Sequence, residues 1–553
     1  MGADLRVTCR APLVWILAPI IWGYVLGRYT SRYEVSLLLC IAGTMLALIG
    51  LGLTYTRKKN LHLIWAIFFL TAGTLIAWSY FNHRHARFSS AWLQLPIREA
   101  KLTLTGERIY HDSNRFGQTT GLARVIHAPK HLGDLEGQKI YFQLSAEDKN
   151  RSLIRSSIFR SRGILSFINE ESLNSEFEEY LHRIGVFFIL KRGRITEVLD
   201  SGNPFYRLCL DASHIFQTIL EEGSSPQSDM AKVYSAMLLG KKDVLTSDQK
   251  NRFQITGTMH FFAVSGLHVG VIALTLNYIL VFLRLSYHKR VVIGLLMLFL
   301  YVEITGASPS AVRAFIMVAF FWSSQLLFRQ PSPFASLLAS GLIVLIIDPW
   351  QLWSAGFQFS YAVVAGILLY GLPLMERINR SLILFTGLPE TSHRWFHRLF
   401  NQVLHSLSGL FAISFSASLI SSPLTIYYFK LFTPGAIILN MFLVTIATLI
   451  IINGVISLFF GLIQLTAISA FFNHGSWLLI WLINKSIDFS VQIPGFYGRI
   501  MFRENFWGPV TLLILLVTLL ITHSKKYINS RIAYWLPPAI LLLFILFGTI
   551  PIN

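Results

Sequence analysis

The chain is short of charge, and of acid above all. Of its 553 residues only 14% are Asp, Glu, Lys or Arg, against about 25% in soluble domains, which excludes a soluble enzyme carried on a membrane anchor. Cysteine is scarce too. Cys9, Cys40 and Cys209 are scattered with no C-x-x-C spacing, so neither a structural zinc site nor a disulfide framework is expected. No G-x-x-x-x-G-K-[ST] run occurs, so any nucleotide-driven motor must be a partner. What fills the chain is apolar: 54% of it is hydrophobic, with 47 Lys and Arg against 28 Asp and Glu and a net charge of +19. Part of that excess obeys the positive-inside rule. The rest suits anionic headgroups or a polyanion.

Three apolar segments, 11–27, 35–55 and 61–81, open the chain, each near the ~20 residues that cross a bilayer. Arg6 and Arg10 precede the first, which reads as an uncleaved helix because no small-x-small cleavage pattern follows. The basic loop Thr56-Arg57-Lys58-Lys59-Asn60 places itself and the N-terminus in the cytoplasm and residues 82–258 outside. Arg28 and Arg32 pull weakly the other way. After this 1–81 helical region, residues 82–202 change character. The stretches 101–106, 122–126, 139–145 and 185–190 alternate as strands do, which predicts a small β-barrel or sandwich. Within it, Lys149, Arg151, Arg155, Arg160 and Arg162 form a basic run, 149–162, with no acid and with aromatics nearby. That pattern suits a single-stranded nucleic-acid groove; a solvated loop or a lipid-headgroup contact would look the same.

Residues 203–258 read as amphipathic helices at the membrane surface, with Phe205, Leu208, Cys209, Ile215 and Ile219 as one apolar face. A helix over about 228–240 should stop at Gly240. From 259 to 553 roughly ten more apolar segments follow, the first over 259–283. The fold class expected is a polytopic α-helical membrane protein of about 11–13 spans, some of them re-entrant, with an inserted extracytoplasmic small β-barrel.

Polar residues inside apolar segments are the candidates for function. His260 and His268 are eight apart, about 80° around a helix, which is not the i,i+4 spacing of a helical metal pair. No acid lies beside them, so no metal site is expected. Ser265 and His268 at i,i+3 could serve as nucleophile and base, but G-x-S-x-G is absent. Hydrogen bonding within a broken helix, or lining of a polar passage, is the favoured reading. Glu303 and Arg313 are two charges on either side of a Gly/Ser/Pro break; they read as an intramembrane pair, or Arg313 as facing an anionic passage. Gln358, Ser360 and Asn440 complete the set, with a bundle hydrogen bond as the plainer role for Gln358.

Together these stretches resemble the ComEC/Rec2 family of bacterial competence proteins. His260-Phe261-Phe262-Ala263-Val264-Ser265-Gly266-Leu267-His268-Val269 is similar to that family's H-hydrophobic-hydrophobic-A-[IV]-S-G-L-H-V signature. Gly306, Ser310, Arg313 and Ala314 resemble its G-x-x-x-S-x-x-R-A element. Asp348-Pro349 with Gly356-Phe357-Gln358-Phe359-Ser360 resembles D-P…G-F-Q-L-S. Lys241 and Thr445 depart from the usual residues. The resemblance implies a non-enzymatic inner-membrane channel for DNA uptake, without a cofactor, in which residues 82–202 are an OB-type domain and 259–553 the competence-type core. His260, Ser265, Gly266, His268, Arg313, Gln358, Ser360 and Asn440 would line the path of a single strand. The implied partners are single-stranded DNA, membrane lipids, a DNA receptor, a cytoplasmic helicase or motor and a separate nuclease, with a homodimer left open. The nuclease is expected elsewhere because the metallo-β-lactamase-like domain of many members, with its H-x-H-x-D-H motif, has no counterpart in these residues. A secondary transporter or lipid-handling permease is the alternative, and an intramembrane Ser265/His268 enzyme a further one.

Overall fold

The computed structural model describes residues 13–30, 35–55, 62–84, 98–110, 119–145, 153–168, 175–224, 228–241, 244–327, 330–382, 395–522 and 531–552. The described residues divide into two compact units, one within 13–210 with 341–354, the other within 211–340 and 355–552.

The first unit begins with three apolar helices, α1 (Leu13–Thr30), α2 (Ser36–Tyr55) and α3 (His62–Arg84). Gly23 of α1 lies so close to α3 that a Cβ there would stand 2.4 Å from the Thr74 carbonyl. This is the small-residue packing that membrane helices use in place of a hydrophobic drive. Five strands follow, β1 (Arg98–Tyr110), β2 (Thr120–His127), β3 (Lys139–Leu144), β4 (Ile158–Phe167) and β5 (Phe188–Asp200), with helix α4 (Glu176–Arg183) between the last two. They close into a barrel in the order β1-β2-β3-β5-β4. Every pairing is antiparallel except β3 with β5. Alternate residues point inward: Leu102, Leu104, Ala123, Val125, Ile140, Phe142, Phe159, Leu165, Phe188 and Leu190 are all buried. Closure leaves no strand edge unpaired, so a small barrel needs no partner sheet.

Residues 341–354 pack in the same unit. Tyr24 Oη donates to the Leu345 carbonyl (3.1 Å) and Tyr80 Oη to that of Ile346 (2.6 Å). Asp348 pairs with Lys139 of β3 at 2.9 Å and also accepts from the Trp350 amide. Gly185, at φ +76°, brings the chain against the Trp350 ring, where a Cβ would stand 2.7 Å from the indole.

Two expectations shift here. Residues 158–162 of the basic run are not the solvated loop of the alternative reading, because β4 takes them up and strand pairing governs where Arg160 and Arg162 point. The last strand starts at Phe188 rather than 185, since Gly185 makes the turn after α4.

The second unit is helical. Helices α5 (Pro204–Glu221, from 211 on in this unit), α6 (Asp229–Leu239) and α7 (Ser247–Ile255) precede α8 (Gly266–Phe282), α9 (Tyr287–Ile304), α10 (Pro309–Leu326) and α11 (Pro333–Ile347, up to 340 in this unit). Then come α12 (Ala355–Gly366), a π-turn over Ile367–Gly371, α13 (Leu372–Ser381), α14 (Trp395–Phe429), α15 (Ala436–Leu462), α16 (Thr466–Gln492), α17 (Trp507–Thr522) and α18 (Ile532–Gly548). Short strands β6 (Leu431–Phe432), β7 (Gly498–Phe502) and β8 (Thr549–Pro551) form a small sheet. Among the described residues five helices are long and apolar enough to cross a membrane: Leu13–Thr30, Ala355–Ser381, Trp395–Phe429, Ala436–Leu462 and Thr466–Gln492. Five shorter apolar helices accompany them.

Gly240 ends α6 in the left-handed conformation, φ +73°, as its sequence position predicts. The helix itself is not a surface element: Ala231 and every residue from Val233 to Leu239 are buried. Ser235 and Tyr234 find partners inside, on Glu221 and Ser476, which is how polar residues reside in an enclosed helix.

Candidate functional site

The segment 246–268 is built from local signals. Thr246 and Gln249 cap α7 reciprocally, as a capping box does. The helix ends at Thr256, and Gly257 at φ +72° turns the chain so that the Thr258 amide returns to the Phe253 carbonyl at 2.8 Å. Met259–Phe262 is a single 3-10 turn. It buries Phe261 and Phe262, the latter stacked on Phe253 at 4.1 Å. His260 points the other way and is exposed. Residues 263–265 are extended, and α8 starts only at Gly266. The two histidines thus do not share a helix, and the 80° relation between them does not apply.

Ser265 is the N-cap of α8, with His268 in the position a Glu or Gln takes in a capping box. The Ser265 hydroxyl (3.0 Å) and amide (3.4 Å) both donate to His268 Nδ1. His268 is fully buried, and its Nε2 makes no hydrogen bond of ordinary geometry. His260 has the opposite arrangement, Nδ1 donating to the Gly257 carbonyl at 3.0 Å. The Ser265–His268 distance is one a nucleophile and base would have, and it is also that of a helix cap.

The Val264 carbonyl ties this break to a second one. Ser310 Oγ donates to it at 2.6 Å and Ser308 Oγ at 3.3 Å. Ser308 is in turn the N-cap of α10, accepting from the Ala311 amide. One turn along, the 4%-exposed Arg313 sends Nη2 to the Gly356 carbonyl (2.9 Å) and to Ser360 Oγ (3.0 Å) in the first turns of α12. Ser340 holds this corner from behind, bonding to Tyr361 Oη at 2.7 Å and reaching the Arg313 carbonyl at 3.4 Å.

The starts of α8, α10 and α12 therefore meet, α8 and α10 through the Val264 carbonyl and α10 and α12 through the Arg313 guanidinium. Each helix start carries about half a positive charge on its free amides. Three such starts in contact, two of them joined by a buried Arg, make an electropositive locus suited to an anion such as phosphate. Gly266 and Gly356 are exposed there, so backbone rather than side chain borders the space. Among the described residues no three His, Cys, Asp or Glu side chains gather as a metal site would require.

Not every predicted residue joins this cluster. Gln358 turns to α14, its Oε1 accepting from Tyr428 Oη at 3.0 Å. Asn440 lies in the first turns of α15 with its Oδ1 buried and without a hydrogen bond. Glu303 is half-buried in the last turn of α9.

On the barrel, Lys149 and Arg151 lie outside the described residues. Arg155 sits over the Tyr206 ring, 4.7 Å from its centroid. Arg160 meets Glu197 at 2.7 Å, and Arg162 meets both oxygens of Glu99, at 2.5 and 2.8 Å. Those hydrogen bonds hold the Glu99 carboxyl below its ordinary range. The run without acids in sequence is thus partnered by acids from neighbouring strands. Register also adds cations that sequence reasoning missed: Lys101 pairs opposite Arg162, and Arg162 opposite Arg194, a row across β1, β4 and β5. The signal was present in Lys191-Arg192-Gly193-Arg194.

Fold and site together define a polytopic helical protein, with a small barrel in one unit and a polar, electropositive break among the apolar helices of the other. The sequence model described as Competence protein matches residues 237–526, just over half the chain, and the protein belongs to that family. It is 29% identical over 350 residues to ComE operon protein 3 of Bacillus subtilis (strain 168), covering 63% of this chain and 40% of that protein. To Recombination protein 2 of Haemophilus influenzae it is 24% identical over 225 residues, 39% of this chain and 27% of the relative. An uncharacterized MG316 homolog of Mycoplasma pneumoniae is 26% identical over 181 residues, 31% of this chain and 42% of the relative. The chain spans under half the length of the curated relatives it matches. No solved structure matches it significantly.

Proposed function

We propose that the protein is an inner-membrane channel for the uptake of DNA, as a single strand, during natural transformation. Membership of the competence family motivates the reading, and the observation that carries it is the meeting of three helix starts, two of them joined by Arg313. A strand bears one charge per nucleotide, so a dry apolar passage is excluded on solvation grounds. Capped helix ends and a fixed guanidinium offer phosphates a substitute for water. His260, Ser265, Gly266, His268 and Ser360 would border the path near this locus, with Gln358 and Asn440 further along and Glu303 balancing Arg313. The barrel, whose strand order suits an OB-type domain, would lie outside the membrane and receive DNA on the row of Lys101, Arg162 and Arg194. The N-terminus would then be cytoplasmic, and a receptor, a motor and a nuclease would be separate proteins.

The test is entry of fluorescent DNA in a naturally competent host with and without the gene. Loss of entry with surface DNA retained is expected; unchanged transformation on deletion defeats the reading. The Ser265–His268 contact gives one observation in favour of a catalytic alternative. Ser265→Ala separates the two: uptake that survives at wild-type protein levels leaves the serine a cap, whereas abolished function with intact folding makes it a nucleophile.

A further inference from the structure

A second, chemically different cavity lies in the helical unit, between the start of α6, α7 and the last turns of α16. It encloses about 290 Å³, far more than one water needs. Arg252 of α7 crosses it to Asp488 of α16 at 2.6 Å, and Phe253 forms a buried part of its wall. Two further charges line the same space, Asp229 in the first turn of α6 and Lys485 of α16. Among the described residues neither makes a hydrogen bond or an ion pair. Opposite charges that share a cavity without joining each other leave room for something that meets both.

Lys485 lies seven residues before the end of α16, about 10 Å inside it, where a charge needs a counter-charge or a wet surface. The same face of α16 grows apolar in the other direction. Trp481 is 47% exposed and Leu478 66% exposed, so the exposed stripe runs from lysine through an indole to bare leucine. Tryptophan is the residue of the membrane–water boundary. An amphiphile whose head enters the cavity can lay its chain along that stripe.

We propose that this cavity is a binding site for a phospholipid with a zwitterionic head, phosphate plus ammonium. Lys485 and Arg252 face the phosphate, while Asp229 takes the ammonium beside the Trp481 ring, which attracts a cation through its face. A purely anionic head satisfies the two cations and leaves Asp229 repelling it.

The full-length protein, delipidated in detergent, is titrated by native mass spectrometry with phosphatidylethanolamine, with phosphatidylglycerol and with soluble phosphoethanolamine. Phosphatidylethanolamine should bind tightest, and Asp229→Asn and Lys485→Gln should each weaken it roughly tenfold. Lys485→Arg should keep it, and Asp229→Asn should move the preference toward phosphatidylglycerol. Equal or tighter phosphatidylglycerol binding by the unaltered protein overturns the proposal, as does phosphatidylethanolamine binding that ignores both substitutions. Soluble phosphoethanolamine binding as tightly as the lipid overturns the assignment to a membrane ligand. Melting of the lipid-free variants at the unaltered temperature shows that lost binding is not lost folding.

Discussion

The two units hold arginine in opposite ways. On the barrel Arg162 is exposed and meets the Glu99 carboxylate in a two-pronged pair. In the helical unit Arg313 is buried and Nη2 donates to a backbone carbonyl and a hydroxyl. An exposed pair is held against water and screened by salt, so it opens to a competing anion at little cost. A buried guanidinium has no such exchange available, and whatever it faces must come to it. The barrel's cations are adjustable, and those of the core are positioned.

The sharpest way to break that contrast is Arg313→Met. It strips a charged donor from Gly356 and Ser360, each bond being worth about 1.5–3 kcal/mol. The thermal midpoint in detergent should fall clearly and DNA entry should cease. Arg313→Lys keeps the charge without the planar fork and should fall between. Gly185→Ala comes next, in the first unit: a Cβ at φ +76° against Trp350 should cost about 1–3 kcal/mol, read as the urea midpoint of the purified protein. Ser310→Ala removes one bond to Val264 and should cost about 1 kcal/mol; a null effect would say that Ser308 alone holds the two breaks together. The gentlest test is Glu99→Gln, which should leave stability unchanged, free Arg162, tighten single-strand binding and steepen its salt slope by about 0.7. Adding Arg162→Gln to Glu99→Gln should return the slope to that of the unaltered protein. Acid should mimic Glu99→Gln only at pH below the ordinary carboxylate range, because the depressed carboxyl keeps the pair intact until pH falls through its lowered value.

How far all this could be read from residues alone depended on range. Gly240 as a helix stop was legible because a C-terminal glycine is a local device. The barrel strands showed by alternation, but Arg160 and Arg162 looked unpartnered because their acids lie 37 residues ahead and 63 behind. The apolar stretch after 259 read as one helix because Phe261 and Phe262 are as hydrophobic as any helical residue. Only the turn at Gly257 and the extended 263–265 segment separate it from α8. The motif around Ser265 and His268 was visible, while the meeting of three helix starts is a tertiary fact that no window contains.

The histidines flanking that break carry a last consequence. From their bonding partners, the neutral His260 ring keeps its proton on Nδ1 and the neutral His268 ring on Nε2. Two tautomers within nine residues are distinguishable by nitrogen chemical shift, so this region contains its own pair of spectroscopic reporters. With Nδ1 engaged, the exposed His260 has Nε2 left as an acceptor and should respond first to a strand in transit. The capped His268 should hold its resonance, serving as the internal reference.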